Sequence, residues 1–379
     1  LLHRLREMMA ILTDPTLNFP KGEIYDLREA LSRIRIEGLF LDENDLFSLS
    51  KMLSYSAQLE RFFATLDKTK YPILSSSLIT SSPSNLITLI DRVLDRYGKM
   101  RDNASPELAR IRKEIAASQG SVSRALNAIL RQAQAEGILE KDATPTMREG
   151  RLVLPVPPAY KRKIGGIVHD ESATGKTVFI EPQQVVEANN RIRELEGEER
   201  RERIRILMAI TAEIRPEIPA IIATEDYLAE VDFLCAKALF ALDIHAIVPE
   251  VNNHTHIQWR EAYHPVLLLN FRRLGKTVVP LTLTLDKKQR ILVISGPNAG
   301  GKSVCLKTVA LLQYMLQCGL AVPMHESSQM GIFSRLMLDI GDEQSIEDDL
   351  STYSSHLRNM KFFVRNANRH TLLLIDEFG

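Results

Sequence analysis

Residues 291–303 read ILVISGPNAGGKS, and the fold is decided by how this stretch is read. Gly296-Pro297-Asn298-Ala299-Gly300-Gly301-Lys302-Ser303 satisfies the pattern GxxxxGK[ST]. Glycines let successive backbone N–H groups converge on phosphate oxygens at a helix N-terminus. Lys302 adds a mobile positive charge, and Ser303 can ligate magnesium. The pattern carries weight only between a strand and a helix. Ile291–Ser295 is predicted to be that strand and Ser303–Gln317 the apolar helix. Further on, Leu372-Leu373-Leu374-Ile375-Asp376-Glu377 supplies the expected second half. Its apolar strand would deliver Asp376 to the magnesium shell, and Glu377 beside it can polarise an attacking water.

A second Gly-Lys-Thr, in Ser172–Thr177, is a decoy. Asp170 stands where the first glycine should be, and no long apolar helix follows, so the segment reads as a β-turn. Around these two points the chain changes texture four times. Residues 1–106 read as a helical core. Ser105-Pro106-Glu107 then looks like a helix start, with Ser as N-cap and Pro in the first turn. Leu108, Ile115, Val122 and Ile129 follow at seven-residue spacing, with Ile111, Leu126 and Ala133 in the other seam position. That narrow stripe suits pairing with one other helix.

Residues 144–182 are richer in Gly and Pro, with short strands expected at Leu152–Val156, Ile164–Val168 and Thr177–Ile180. Helical texture returns over Pro182–Ala246, and Arg191–Arg205 is almost wholly charged, as in a helix with most of its surface in water. The economical picture is two long antiparallel arms, 107–224, with a small β tip. A return helix occupies 225–254, and an α/β domain occupies 255–379, with further strands at His256–Trp259, Val278–Leu285, Leu336–Ile340 and Thr371–Ile375. Such arms cost much exposed surface, so they are expected to reach a partner. Tyr160–Lys163 and Lys176 lie in the tip, where Lys161, Arg162, Lys163 and Lys176 are candidates to meet phosphates; a solvated turn accounts for them equally well.

Lys+Arg 48 and Asp+Glu 48 cancel over 379 residues. This argues against nucleic-acid binding by bulk charge and leaves room for a local basic patch. Cys235, Cys305 and Cys318 include no CxxC pair, so neither a disulfide scaffold nor a cysteine zinc site is expected; they fit buried thiols in a reducing cytoplasm. His245, His254 and His256 have no acidic or Cys partner at ligand spacing, and Trp259 reads as core. No apolar run approaches the roughly 18 residues of a membrane span, so no membrane partner is expected. Both ends look cut, and the chain reads as a fragment.

With these residues in place, the chain resembles the MutS family. GPNAGGKS is similar to that family's phosphate loop, which carries Pro-Asn after its first Gly. Ala262-Tyr263-His264-Pro265 resembles the Arg-His-Pro that opens its ATPase domain, with Tyr263 in place of Arg. Asp348-Asp349-Leu350-Ser351-Thr352-Tyr353 resembles the Ser-Thr-Phe signature, and LLLIDEFG the end of the second motif strand. Gly165–Pro182 is especially similar to the family's second paralogue branch, which lacks mismatch-reading and connector domains.

The resemblance implies a multidomain protein: an all-α core and helical arms with a β tip, then a P-loop α/β ATPase domain of the ABC type. It implies that Gly296–Ser303 cradles ATP, that Ser303 and Asp376 hold Mg2+, and that Glu377 is the catalytic carboxylate. Ser351 would reach the nucleotide of the opposite subunit in a homodimer; an ordinary N-cap serving its own helix is the plainer reading of the same residue. The implied partners are branched or mismatched DNA, with suppression of recombination, or the ribosome and its rRNA in collision rescue. Basic residues that contact phosphate do not choose between them. Family members continue into a dimerising segment, and the second branch adds a nuclease domain; neither is carried by these residues. Two other classes remain open: a nucleotide-locked interaction module without useful turnover, and a coiled-coil chromosome-maintenance ATPase. A transporter subunit fits less well, since no LSGGQ-like signature occurs.

Overall fold

The computed structural model describes residues 1–77, 82–148, 150–296, 301–340 and 349–376. They fall into two compact units: residues 1–21, 58–80 and 226–379 form the first, and 22–57 with 81–225 the second.

In the second unit, α2 (Arg28–Arg33), the first part of α3 (Glu43–Thr65) and α5 (Asn85–Val93) precede the long helix α6 (Pro106–Ala135). The start of α6 is built as its sequence predicts. Ser105 lies in extended conformation, its Oγ accepts the Leu108 N–H at 3.0 Å, and Pro106 takes the first turn, where its missing N–H costs nothing. Past its end, Gly137 takes φ +69° and the Ile138 N–H returns to the Ala133 carbonyl at 2.8 Å. The buried stripe departs from strict sevens. Leu108, Ile111, Val122, Leu126, Leu130 and Ala133 are buried, whereas Ile115 and Ile129 are only half-buried. A straight helix drifts about 20° per heptad, so by the fourth repeat Ile129 has turned aside and Leu130 has taken its place.

The partner of α6 is α8 (Gln183–Ile214). The pair runs antiparallel: Ser105 meets Glu202, Arg112 meets Glu199 at 2.8 Å, and further along Glu114 meets Arg191. Between them lies a four-stranded antiparallel sheet in the order β1 (Thr146–Arg148), β2 (Arg151–Val156), β4 (Val178–Pro182), β3 (Gly166–Glu171). The second expected strand, Ile164–Val168, begins late, because 161–164 form the helical turn α7 (Lys161–Ile164) and Gly165 redirects the chain at φ +57°. The decoy segment is a hairpin turn: Ser172 and Thr177 exchange backbone and hydroxyl bonds around Gly175 at φ +66°. After α8, Pro216 breaks the helical register in a short 3-10 turn before α9 (Ile218–Asp243).

The first unit packs α1 (Leu2–Thr13), the end of α3, α4 (Leu74–Ser77) and most of α9 around buried Leu5, Met8, Ile11, Phe63, Leu228 and Val231. Its β part has a mixed sheet ordered β5 (Glu250–Asn252), β8 (Gln329–Gly331), β6 (Ile257–Ala262), β7 (Leu281–Leu285), in which Trp259 is fully buried as expected. A parallel pair, β9 (Arg335–Asp339) and β10 (Thr371–Ile375), accompanies α10 (Pro265–Arg273), α11 (Lys302–Gln317) and α12 (Asp349–Asn366).

One expectation fails here. Residues 289–295 belong to no strand, and Ile291, Leu292, Val293 and Ile294 are exposed. An apolar run becomes a strand only with a neighbour to pair with, and among the described residues none lies alongside it. The thiols also divide: Cys235 is half-buried, and desolvation, with the charge of Asp232, pushes its pKa up to about 12, while Cys318 is exposed. Among the described residues no helix is long and apolar enough to cross a membrane.

Candidate functional site

Helix α11 presents its N-terminus through Gly301, which sits at φ +83°, a left-handed conformation that a side chain would strain. Lys302 opens the helix and folds back, its Nζ donating to the Gly296 carbonyl at 2.8 Å. Lys302 thereby closes the two ends of the loop on each other, and Ser303 follows in the first turn, where backbone N–H groups have no partner within the helix. The helix is pinned at its other end. Gln313 Nε2 donates to the Gly331 carbonyl at 2.9 Å, and Gln317 both donates to the Phe333 carbonyl and accepts its N–H. Sequence reading missed both glutamines, whose only signal is amide side chains on an otherwise apolar face.

On its other side α11 packs against β9 and β10. Asp376 follows β10 directly, and its N–H donates to the Asp339 carbonyl at 2.8 Å. Asp339 is 8% exposed. Its carboxylate takes a 2.8 Å bond from Asn359 Nδ2 and lies against His356 Nδ1, both on α12. None of these three was singled out in the sequence. His264 caps α10, its Nδ1 accepting the Leu267 N–H at 3.4 Å. Burial, aided by the charge of Lys307 on α11, lowers the His264 pKa below the usual histidine value, which suits an acceptor nitrogen.

Pro297, Asn298, Ala299, Gly300 and Glu377 lie outside the described residues. Ser351 is in the first turn of α12, two residues inside its start, where the sequence reading had it preceding the helix as N-cap.

What is described fits a magnesium nucleotide. A phosphate would find a glycine-shaped helix N-terminus with a lysine beside it. For the metal, Ser303 and Asp376 offer two hard oxygen ligands. That suits magnesium, which takes few protein ligands and completes its shell with phosphate and water.

The basic candidates are exposed but do not form one patch. Lys161, Arg162 and Lys163 make up most of α7, and Lys163 Nζ lies 5.6 Å from the Tyr160 ring centre. Lys176 is in the hairpin turn at the other end of β3, about 17 Å away along the strand. Another cation, Arg148 of the sheet, stacks on Phe179 and pairs with Asp170 at 3.3 Å.

Beneath the sheet lies a cluster that sequence reading missed. The fully buried Glu181 on β4 accepts two bonds from Arg151 on β2, at 2.7 and 2.8 Å. It takes a third from Asn189 on α8 at 2.7 Å, and meets His169 Nε2 on β3 at 2.6 Å. Burial alone would raise the Glu181 pKa; the bonds from Asn189, His169 and Arg151 reverse that and hold it below the usual glutamate value. Gly166 has the close approach its neighbours require, since a Cβ there would lie 2.1 Å from the Glu181 carbonyl oxygen. The segment most similar to the second branch is therefore the hairpin that supplies Gly166, His169 and Glu181 to this joint.

Residues 292–379 match the family model described as MutS domain V. Over nearly its whole length the chain is similar to proteins named Endonuclease MutS2. It is 38% identical to that of a Geobacillus species over 364 residues, 95% of this chain and 45% of the relative. It is also 38% identical to that of Gemmatimonas aurantiaca over 384 residues, 99% of this chain and 46% of the relative. The same identity holds for Bacillus cytotoxicus over 363 residues, again 95% and 45%. The chain thus spans about half the length of the curated relatives it matches.

Proposed function

This chain belongs to the second branch of the MutS family, and from that premise we propose that it is the ATP-binding part of a DNA-binding ATPase. In this reading residues 255–379 are an ABC-type ATPase domain, 1–106 a helical core, 107–224 the arms with their tip at 144–182, and 225–254 the return to the core. The observation that carries it is the α11 N-terminus, where Gly301 adopts a conformation suited to glycine and Lys302 reaches across the loop to Gly296. Gly296–Ser303 cradles the phosphates, Ser303 and Asp376 hold the Mg2+, and Glu377 orients and deprotonates the attacking water. Bound metal would neutralise charge on the transferring phosphoryl group. For the lysine the consequence is mechanical: Lys302 exchanges the Gly296 carbonyl for a phosphate oxygen when nucleotide enters.

Paired sites in a cytoplasmic homodimer, each receiving Ser351 from the other subunit, would couple ATP to closing of the arms on nucleic acid. We assign the arms to branched or mismatched DNA, and with it to suppression of recombination. Ribosomal RNA, and with it collision rescue, is the competing outcome of the binding test. The endonuclease activity named for the relatives is assigned to none of the residues described.

The test uses the full-length protein. Glu377→Gln should cut hydrolysis by about a hundredfold or more while a fluorescent ATP analogue still binds, and Lys302→Ala should abolish that binding. Turnover by Glu377→Gln at the wild-type rate would sink the catalytic assignment. A wild-type rate per subunit that stays flat and near background as protein concentration rises would favour the nucleotide-locked module.

A further inference from the structure

A polar cluster built on the buried Asp339 lies beside Asp376, and the nucleotide reading gives it no task. Asp339 ends β9 and is bonded on two sides at once. Its backbone carbonyl takes the N–H of Asp376, the residue that leaves β10. Its carboxylate takes Asn359 Nδ2 at 2.8 Å and faces His356 Nδ1. His356 and Asn359 are three residues apart on α12, hence on one face of it. The same helix holds Ser351 in its first turn, about 7.5 Å along the axis from His356. Asp339 therefore touches both the strand end bearing one proposed metal ligand and the helix bearing the proposed signature serine. Ionic groups are an expensive way to fasten a helix to a strand, since a well-packed apolar contact does so at no desolvation cost. What the polar cluster adds is direction: the imidazole and the amide each have to meet one carboxylate oxygen, which fixes α12 in rotation and along its axis.

We propose that Asp339, His356 and Asn359 form a positioning latch that sets α12, and with it Ser351, in register with the strand end at Asp376. The proposal rests on the ATPase reading above and assigns the three residues no contact with nucleotide. Breaking the latch misplaces a group needed at the transition state while leaving the phosphate loop intact. The loss should therefore fall on kcat and not on KM.

The experiment compares wild-type, His356→Ala and His356→Asn full-length protein. Asparagine keeps an N–H donor near the place of Nδ1, so it separates loss of the polar contact from loss of the ring. The expected result is about a tenfold fall in kcat for the alanine variant with KM for ATP within about twofold of wild type. Asparagine should restore the rate to within about threefold. An alanine variant with wild-type kcat overturns the proposal. So does an asparagine variant as slow as alanine, or a variant whose defect lies in KM alone. Amide exchange keeps this outcome separate from failure of the ATPase reading. If wild type shows no Glu377-dependent turnover, that reading fails and exchange alone decides the latch. Faster exchange over residues 349–359 in the alanine variant, but not in the asparagine one, supports it; equal exchange in all three overturns it.

Discussion

At Glu181 a carboxylate with no exposed surface is held among Arg151, His169 and Asn189, and the cost of disturbing it can be measured. Glu181→Ala removes the anion and leaves the Arg151 guanidinium, itself largely buried, without its counter-charge. The expected loss is about 3 kcal/mol in a denaturant melt of the full-length protein. The pH dependence has a definite sign. The folded pKa of Glu181 lies below the unfolded value, so its contribution is fully present above the ordinary glutamate range and is lost as pH falls through the folded value. The denaturant midpoint should fall more steeply below about pH 4.5 in wild type than in Glu181→Gln. A variant with the same acid slope as wild type would refute this. None of it was legible in VFIEP, where a lone Glu after three apolar residues looks like a strand end meeting solvent. Gly301 and Lys302 were legible because phosphate chemistry constrains residue type and spacing together.

Among the elements, α6 shows what a pattern reveals and what it hides. Its cap was readable, since Ser before Pro-Glu has few other uses at a helix start. Ser105 also donates to Glu202 on α8 at 2.6 Å, and Arg205 and Ser105 hold the Glu202 carboxyl at about 2. Ser105→Ala should therefore cost more than an ordinary cap, about 2 kcal/mol in thermal or denaturant melts. A loss below about 0.5 kcal/mol would show the cross-helix bond to be idle. The seven-residue count, by contrast, promoted Ile129 over Leu130, because a sequence pattern does not say whether a helix supercoils. Leu130→Ala should cost about 2–4 kcal/mol and Ile129→Ala clearly less. Residues 291–295 mark the opposite error: an apolar run states that a segment would pair, not that a partner strand lies beside it.

Taken over the whole molecule, the zero net charge hides a partition. Arg110, Arg112 and Arg191 are engaged by Glu107, Glu114, Glu198 and Glu199, so the charge-rich helices satisfy one another. Among the described residues the exposed run on α7 has no such acidic partner, which makes it the place to test for nucleic acid. Changing Lys161, Arg162 and Lys163 together to Ala should weaken binding to branched DNA. On duplex arms it should flatten the slope of log affinity against log salt by up to about 3. Unchanged affinity and slope would remove α7 from the contact surface. A larger effect on ribosome binding than on DNA would favour the rRNA partner. The apolar cluster that holds the sheet runs without a gap from Val122, Leu126 and Leu130 of α6 through Leu154, Val156 and Ile180 to Val185 and Ile192 of α8. With Glu181 bonded to both the sheet and α8, sheet and helix ends have no soft layer between them. A load applied at α7 is therefore not dissipated by flexing at this joint; it passes into the two helices as strain along their axes.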